Sequence, residues 1–490
     1  MKTDSRMDSA PCTSSNSMTV NPATVSRAEP RTVSRRRFLR QTAVAGFSLA
    51  AFPSIIPASA LGRDGHVAPS NRVTIGSIGL GERGREADLR GFLNQNDVQV
   101  VALCDVNAAH LEKARQIVNQ QYGNTSCAAH EDFRELVARP DVDACVIATA
   151  DQWHVLTALA AVRAGKDVYV EKPLSLSLTE DWALRHEVHR HKRIFQFGTQ
   201  QRSERTFRFA CELVRNGSIG ELKHINVWSP GGTPGGSTEI VPPPSGLNYD
   251  LWQGQARERP YTQDLCGENS TQTTWYHISD YALGFVAGWG IHPMDIAAWG
   301  AAEHLFGGPL EVEGRGTFHS EGICDTATIW NVNMRTSSGV TLKFVGLPNG
   351  HNEDLPTGEP WPEEQEWTQR YRRITHHGTA FEGTDGWVHV DRSEINFQPE
   401  DLVDLNEDSF KVKLPKSPHH IRNFLECIKT RAETVCPIDE AVRSDTLCHL
   451  SEIAMRLNRK VVWDPKRERF IDDEEANLRL VRKMRAPWHI

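Results

Sequence analysis

The feature that most constrains this chain is the run Gly79-Leu80-Gly81-Glu82-Arg83-Gly84, set between a β-rich stretch at 72–78 and a polar-apolar helical stretch. A G-x-G-x-x-G run is weak alone, but between strand and helix it forms the turn on which a backbone approaches a pyrophosphate. The first glycine permits the tight turn, the second admits the phosphate, and the third lets helix and strand pack closely. Gly79, Gly81 and Gly84 are therefore candidate cofactor-binding residues. The apolar run 98–104 reads as a second buried strand ending at Asp105, 21 residues past Gly84. A carboxylate there accepts both ribose hydroxyls and repels a 2′-phosphate, and no arginine follows it, so NAD is expected in preference to NADP.

Strand and helix keep alternating, with helices near 110–120 and 131–138 and a strand at 144–149. That order predicts a doubly wound parallel sheet of the Rossmann type over residues 71–197. Ligands of such sheets lie beyond the carboxyl ends of the strands, which marks Thr149, Trp153 and His154 as facing the cofactor. The strand 167–170 runs into Glu171-Lys172-Pro173, so a charged pair again stands at a strand's carboxyl end. Lys172 is the leading catalytic candidate, with Glu171 beside the cofactor.

Taken in order, G-L-G-E-R-G, C-D-V-N, A-T-A-D-Q-W-H, V-Y-V-E-K-P-L, F-G-T-Q-Q-R at 197–202 and G-I-H-P-M-D at 290–295, then Trp299, resemble the Gfo/Idh/MocA family of sugar and cyclitol oxidoreductases. The resemblance covers roughly residues 71–463. It implies an α/β chain whose N-terminal Rossmann domain is followed, at 198–463, by an α/β domain with a large, mostly antiparallel open sheet that often builds a homodimer or homotetramer. It also implies that Lys172 lies beside both nicotinamide and substrate hydroxyl, where burial and positive charge lower a lysine pKa. His292 matches the family's active-site histidine, a second acid/base group that also meets substrate, and Asp295 follows three residues later on the same helical face. One departure stands out: many dehydrogenases of the family have an aspartate four residues before this histidine, and here the residue is Gly288. Asp280 and Asp295 are the alternative acids. Related branches use transient oxidation by tightly held NAD to cleave a glycosidic bond. The expected activity is hydride transfer between a secondary hydroxyl of a sugar, sugar acid or cyclitol and a tightly bound nicotinamide cofactor. A redox-assisted glycosidase or lyase and a non-catalytic sugar-binding protein are the alternatives.

Beyond residue 198 a helix is expected at 204–216 and a strand at 223–228, and the Gly- and Pro-rich segment 229–246 reads as a loop over the substrate site. Trp252, Trp275, Tyr276 and His277 follow; sugars stack their C–H faces on such rings, and Tyr276, His277 and Arg202 are candidate substrate contacts. Residues 352–381 read as a polar insertion, 383–390 as a sheet edge around a D-G turn, 418–429 as a helix packing back on the first domain, and 464–490 as a C-terminal tail.

The N-terminus carries Ser34-Arg35-Arg36-Arg37-Phe38-Leu39-Arg40, an apolar stretch, and Ala58-Ser59-Ala60, the zones of an export signal, and the arginine pair resembles the twin-arginine type read by its own export machinery. The expected protein is thus exported, without stable membrane insertion, since no apolar run reaches the roughly 20 residues a spanning helix needs. Residues 1–60 hold eight Lys/Arg and three Asp/Glu, so removing them takes the net charge from −8 to −13. No basic field exists to hold nucleic acid. The ten cysteines are dispersed with no CxxC pair, and a required disulfide is not expected. The histidine groups 186/189/191, 376/377 and 419/420 lack metal-ligand spacing, and no metal is expected.

Overall fold

A computed structural model describes residues 67–263, 265–267, 275–347, 362–372 and 375–490; the export signal expected at 34–60 lies outside them. Six strands form the first sheet: β1 (Val73–Ile78), β2 (Val98–Cys104), β3 (Ala128–His130), β4 (Ala144–Ile147), β5 (Asp167–Val170) and β6 (Phe195–Phe197). All pairings are parallel, in the order β3-β2-β1-β4-β5-β6. β4 and β5 are buried along their whole length, as continuous apolar runs covered by helices on both faces must be. The order reverses between β1 and β4, opening a crevice at their carboxyl ends.

Helix Ala108–Tyr122 covers one face of this sheet, and helix His420–Thr430 returns to the same face, burying Phe424 and Leu425 among β1 and β2 side chains. Arg422 clamps Asp97 with two hydrogen bonds of 2.6 and 2.8 Å, and Lys429 donates a third. The C-terminal stretch is also built in rather than trailing: the Trp488 ring meets Trp153 edge-on, with centroids 4.7 Å apart.

The second sheet has nine strands: β7 (Leu222–Pro230), β8 (Leu310–Phe318), β9 (Ala327–Thr336), β10 (Thr341–Leu347), β11 (Gly378–Gly383), β12 (Trp387–Val390), β13 (Ile395–Gln398), β14 (Val461–Asp464) and β15 (Arg469–Phe470). They run in the order β13-β12-β11-β7-β10-β9-β8-β14-β15, antiparallel except where β7 meets β10. The inner face packs against helices Arg205–Arg215, Ile291–Leu305 and Ile438–Leu457 in one continuous core. The insertion expected at 352–381 is not all loop. Helix Pro362–Tyr371 lies on the outer face, where Trp367 and Tyr371 cover Trp228, and β11 is an interior strand. Two aromatic rings four residues apart make a stripe too narrow to register among the charges around them. The D-G turn does join β11 to β12, but β13 lies outside β12, which is therefore not an edge.

Nine cysteines among the described residues are unpaired, and no helix there is long and apolar enough to cross a membrane. Burial opposes ionisation of Asp97, yet the hydrogen bonds from Arg422 and Lys429 outweigh it and bring the carboxyl to about 2. A carboxyl depressed by folding stabilises above its unfolded pKa and loses that contribution as pH falls through the folded value. The stability gap between the parent protein and Asp97→Asn, measured by denaturant unfolding, is expected to be constant above about pH 5 and to close between about pH 4 and pH 2.

Candidate active site

The glycine turn after β1 is set by space. Gly79 has φ +84°, and a Cβ on it would come within 2.4 Å of the Thr149 nitrogen. At Gly84 a Cβ would lie 2.1 Å from the Gly79 carbonyl oxygen, whereas at Gly81 it would meet nothing within 4 Å. The first and third glycines are thus packed shut, and the second faces a cavity of about 410 Å³. Asp105 lines the same cavity, with Oδ2 accepting from the Leu80 nitrogen at 2.6 Å and Oδ1 from Asn107 at 2.7 Å, which ties its carboxylate to the turn. Thr149 lines it too, and its buried hydroxyl has no partner among the described residues. An open second glycine, an anchored carboxylate and an unpaired hydroxyl fit the pyrophosphate and ribose of a dinucleotide.

Trp153 and His154 also line the cavity but are held by the protein. Trp153 Nε1 donates to the Trp252 carbonyl at 2.9 Å. The His154 ring lies between the carbonyls of Pro173 (2.6 Å) and Thr149 (3.1 Å), so it spaces the two cofactor-side loops. The segment expected over the substrate lies elsewhere at its C-terminal end. Gly246 accepts from the Ala108 nitrogen at 2.9 Å and Asn248 donates to the Val106 carbonyl at 2.9 Å, so this end closes the cavity beside Asp105.

The inner end of the cavity is built on Lys172, at the carboxyl end of β5. Nζ donates to the Gly288 carbonyl at 2.8 Å and to the Tyr276 hydroxyl at 3.3 Å. Burial pushes this ammonium below its usual range against the pull of Glu171. Burial also opposes ionisation of Glu171, but Arg83, donating at 2.7 Å, and Lys172 overcome it and hold the carboxyl low. Burial, then the Asp151 and Glu171 charges, push the Tyr276 phenol well up. Asp151, a cavity residue of the cofactor-facing loop 149–154, is raised well above the carboxylate range by burial, against the pull of Lys172. His292 is buried, its Nδ1 has no partner among the described residues, and burial followed by the Lys172 charge depresses it well below the histidine range. Gly288 also has a spatial reason: a Cβ there would lie 2.2 Å from the Tyr276 hydroxyl oxygen. The phenol therefore stands beside Lys172 in a chain that has no carboxylate at 288.

Four expected site residues do not face this centre. Arg202 is 1% exposed and gives Asp295 two hydrogen bonds of 2.8 Å, with Glu440 at 3.2 Å and Ser444 donating to Asp295 at 2.6 Å. Asp295 is thus committed to Arg202, and neither reaches His292 or the cavity, because a buried guanidinium takes the nearest carboxylate. His277 is a core ring, 5.0 Å from Phe285, accepting from the Thr233 nitrogen. Asp280 sits between Arg257 and Arg259, both at 3.6 Å, in a separate cleft. Among the described residues one group has metal-ligand spacing, the buried trio Asp181, Asp445 and His449, and it includes none of the histidine groups considered above.

Two family models match the chain, "Oxidoreductase family, NAD-binding Rossmann fold" over residues 73–199 and "Oxidoreductase family, C-terminal alpha/beta domain" over 378–490. The chain belongs to the Gfo/Idh/MocA oxidoreductase family. Its curated relatives include a glycosyl hydrolase family 109 protein of Shewanella sp. strain MR-4, 32% identical over 177 residues, or 35% of this chain and 38% of that protein. An α-N-acetylgalactosaminidase of Shewanella oneidensis is 30% identical over the same shares. The match therefore spans well under half the length of these relatives. Among solved structures, aldose-aldose oxidoreductase from Caulobacter crescentus superposes with TM-score 0.56 at 18% identity, covering 80% of this chain and 99% of that one. Scyllo-inositol dehydrogenase from Lactobacillus casei, solved with NAD(H) and scyllo-inositol, superposes with TM-score 0.50 at 18% identity, covering 81% and 99%. At these identities the likeness is one of fold.

Breaking a buried ion pair from one side leaves an uncompensated charge and costs about 3–5 kcal/mol. Asp295→Asn in this Gfo/Idh/MocA chain is therefore expected to lower denaturant stability by that order while dinucleotide affinity, measured by titration of the folded protein, stays close to the parent value.

Proposed function

We propose that this protein is an NAD-dependent oxidoreductase acting on a secondary hydroxyl of a sugar, sugar acid or cyclitol, with its cofactor retained. The observation that carries this reading is the Lys172 ammonium, buried at the inner end of the dinucleotide cavity and held by the Gly288 carbonyl and the Tyr276 hydroxyl. Bound NAD supplies a hydride acceptor. Lys172, whose charged form burial disfavours, takes the hydroxyl proton as the carbinol carbon becomes a carbonyl. Tyr276 stays protonated and fixes the direction of the Lys172 lone pair, and His292 offers its unpartnered Nδ1 to a second hydroxyl. Asp105, fixed on the turn, favours NAD over NADP. Closure of the cavity by the 246–252 segment favours retention, which suits the exported location expected from the leader. Assembly into a homodimer or homotetramer belongs to the same reading.

The names of the Shewanella relatives favour a second reading, in which the same oxidation is transient and a glycosidic bond is cleaved. Nucleotide released by denaturing the purified protein, followed by a panel of free sugars and aryl glycosides, separates the two. The proposal expects NAD in the protein and NADH accumulating with a free sugar or cyclitol. Aglycone release without NADH would establish the glycosidase, and protein that binds no nicotinamide would overturn both. Lys172→Ala is expected to lower kcat by about 10²–10⁴-fold, the usual contribution of a positioned acid/base, with NAD affinity retained.

A further inference from the structure

Lys172 is not the only cation at this centre. Arg392, in the turn between β12 and β13, lays its guanidinium on the Trp289 ring, 4.7 Å from the centroid. Trp289 is next in chain to Gly288, whose carbonyl holds Lys172, so consecutive residues of one turn carry the two cations. Gln201 fixes the arrangement from the other side. With its amide oriented to satisfy both neighbours, it donates to the His292 carbonyl at 3.3 Å and accepts from Arg392 Nε at 3.1 Å. The remaining guanidinium N–H groups form no ion pair with a described residue. Glu204 faces Arg392 from the start of helix Arg205–Arg215 but stands beyond ion-pair distance, and burial raises its own carboxyl. Arg83, the other cation here, is already committed to Glu171 at 2.7 Å and Asp88 at 3.3 Å. Arg392 and Lys172 are close enough that the guanidinium charge further disfavours the ammonium.

A guanidinium anchored on an aromatic face, with its planar fork unspent, is the geometry that recognises a carboxylate through two parallel hydrogen bonds. We propose that Arg392 is a specificity-determining residue that takes the carboxylate of a sugar acid, a hexuronate or aldonate, while the hydroxyl to be oxidised lies at Lys172. This rests on the reading of the Lys172 centre as a sugar oxidoreductase, and it narrows that reading from sugars and cyclitols at large to anionic ones. A neutral sugar leaves the terminal N–H groups of Arg392 to water, whereas a carboxylate can take both of them at once.

The test is a comparison of matched pairs, glucuronate with glucose and galacturonate with galactose, as free sugars and as methyl glycosides, on NAD-loaded parent protein, Arg392→Gln and Arg392→Lys. Turnover is read as NADH or released methanol and binding by calorimetry. The parent protein is expected to prefer the acid by about tenfold or more in kcat/KM, the worth of a charge-assisted hydrogen bond. Arg392→Gln collapses that preference through KM, and Arg392→Lys, which keeps charge but loses the fork, restores part of it. Equal turnover of acid and neutral sugar by the parent protein, or a preference for sulfated or phosphorylated sugars, would overturn the assignment, as would a preference that survives Arg392→Gln. The underlying reading fails separately: uronate that binds in an Arg392-dependent way without NADH or bond cleavage sinks the oxidoreductase and leaves Arg392 as a carboxylate site.

Discussion

Burying one ammonium is the constraint around which this molecule is arranged. Lys172 lies at the carboxyl end of β5, facing the second part of the chain, and removing an ammonium from water without partners costs several kcal/mol. The Gly288 carbonyl and the Tyr276 hydroxyl come from the second part of the chain, so the site closes only when residues about a hundred positions apart are packed together. Glu171, held low by Arg83, supplies the compensating charge. The partners are enough to keep Lys172 in place and too few to hold its proton firmly, which is the compromise a proton-transfer group needs.

The other buried charges have a different task. Arg202, Asp295, Glu440 and Ser444 bond one another and join the loop after β6 to helices Ile291–Leu305 and Ile438–Leu457. Asp445 accepts from the Leu174 and Ser175 nitrogens, just past Lys172, and so fixes the loop that aims the lysine. Around the cavity, by contrast, the Thr149 hydroxyl and Asp151 Oδ2 have no partner among the described residues, nor has Nδ1 of the buried His292. The ion-paired groups thus join the two parts of the chain, while the unpartnered Thr149 and Asp151 oxygens line the cavity.

This division explains what the sequence made legible. The glycine turn, Asp105 and Lys172 are set by local rules, a turn after a strand and a group at a strand's carboxyl end, and a motif carries such rules intact. Arg202, Asp295, His277 and Asp280 stand out by residue type and spacing, but what they bond is set by tertiary packing, and an aspartate three residues after a histidine says nothing about an arginine 93 positions earlier. The helix Pro362–Tyr371 was hidden because only Trp367 and Tyr371 carry its apolar stripe. Gly288 was visible as a departure, while its reason, the Tyr276 hydroxyl in the space a side chain would fill, is purely tertiary.

Lys172 is proposed above as the buried amine that accepts the substrate's proton. The most direct measurement is the pH dependence of single-turnover reduction of the bound nicotinamide, in the parent protein and in Lys172→Ala. The rate is expected to rise with pH through an apparent pKa below the ordinary lysine value of about 10.4, with that limb missing in Lys172→Ala. A limb that persists unchanged in Lys172→Ala would place the proton acceptor on another residue and rule out Lys172.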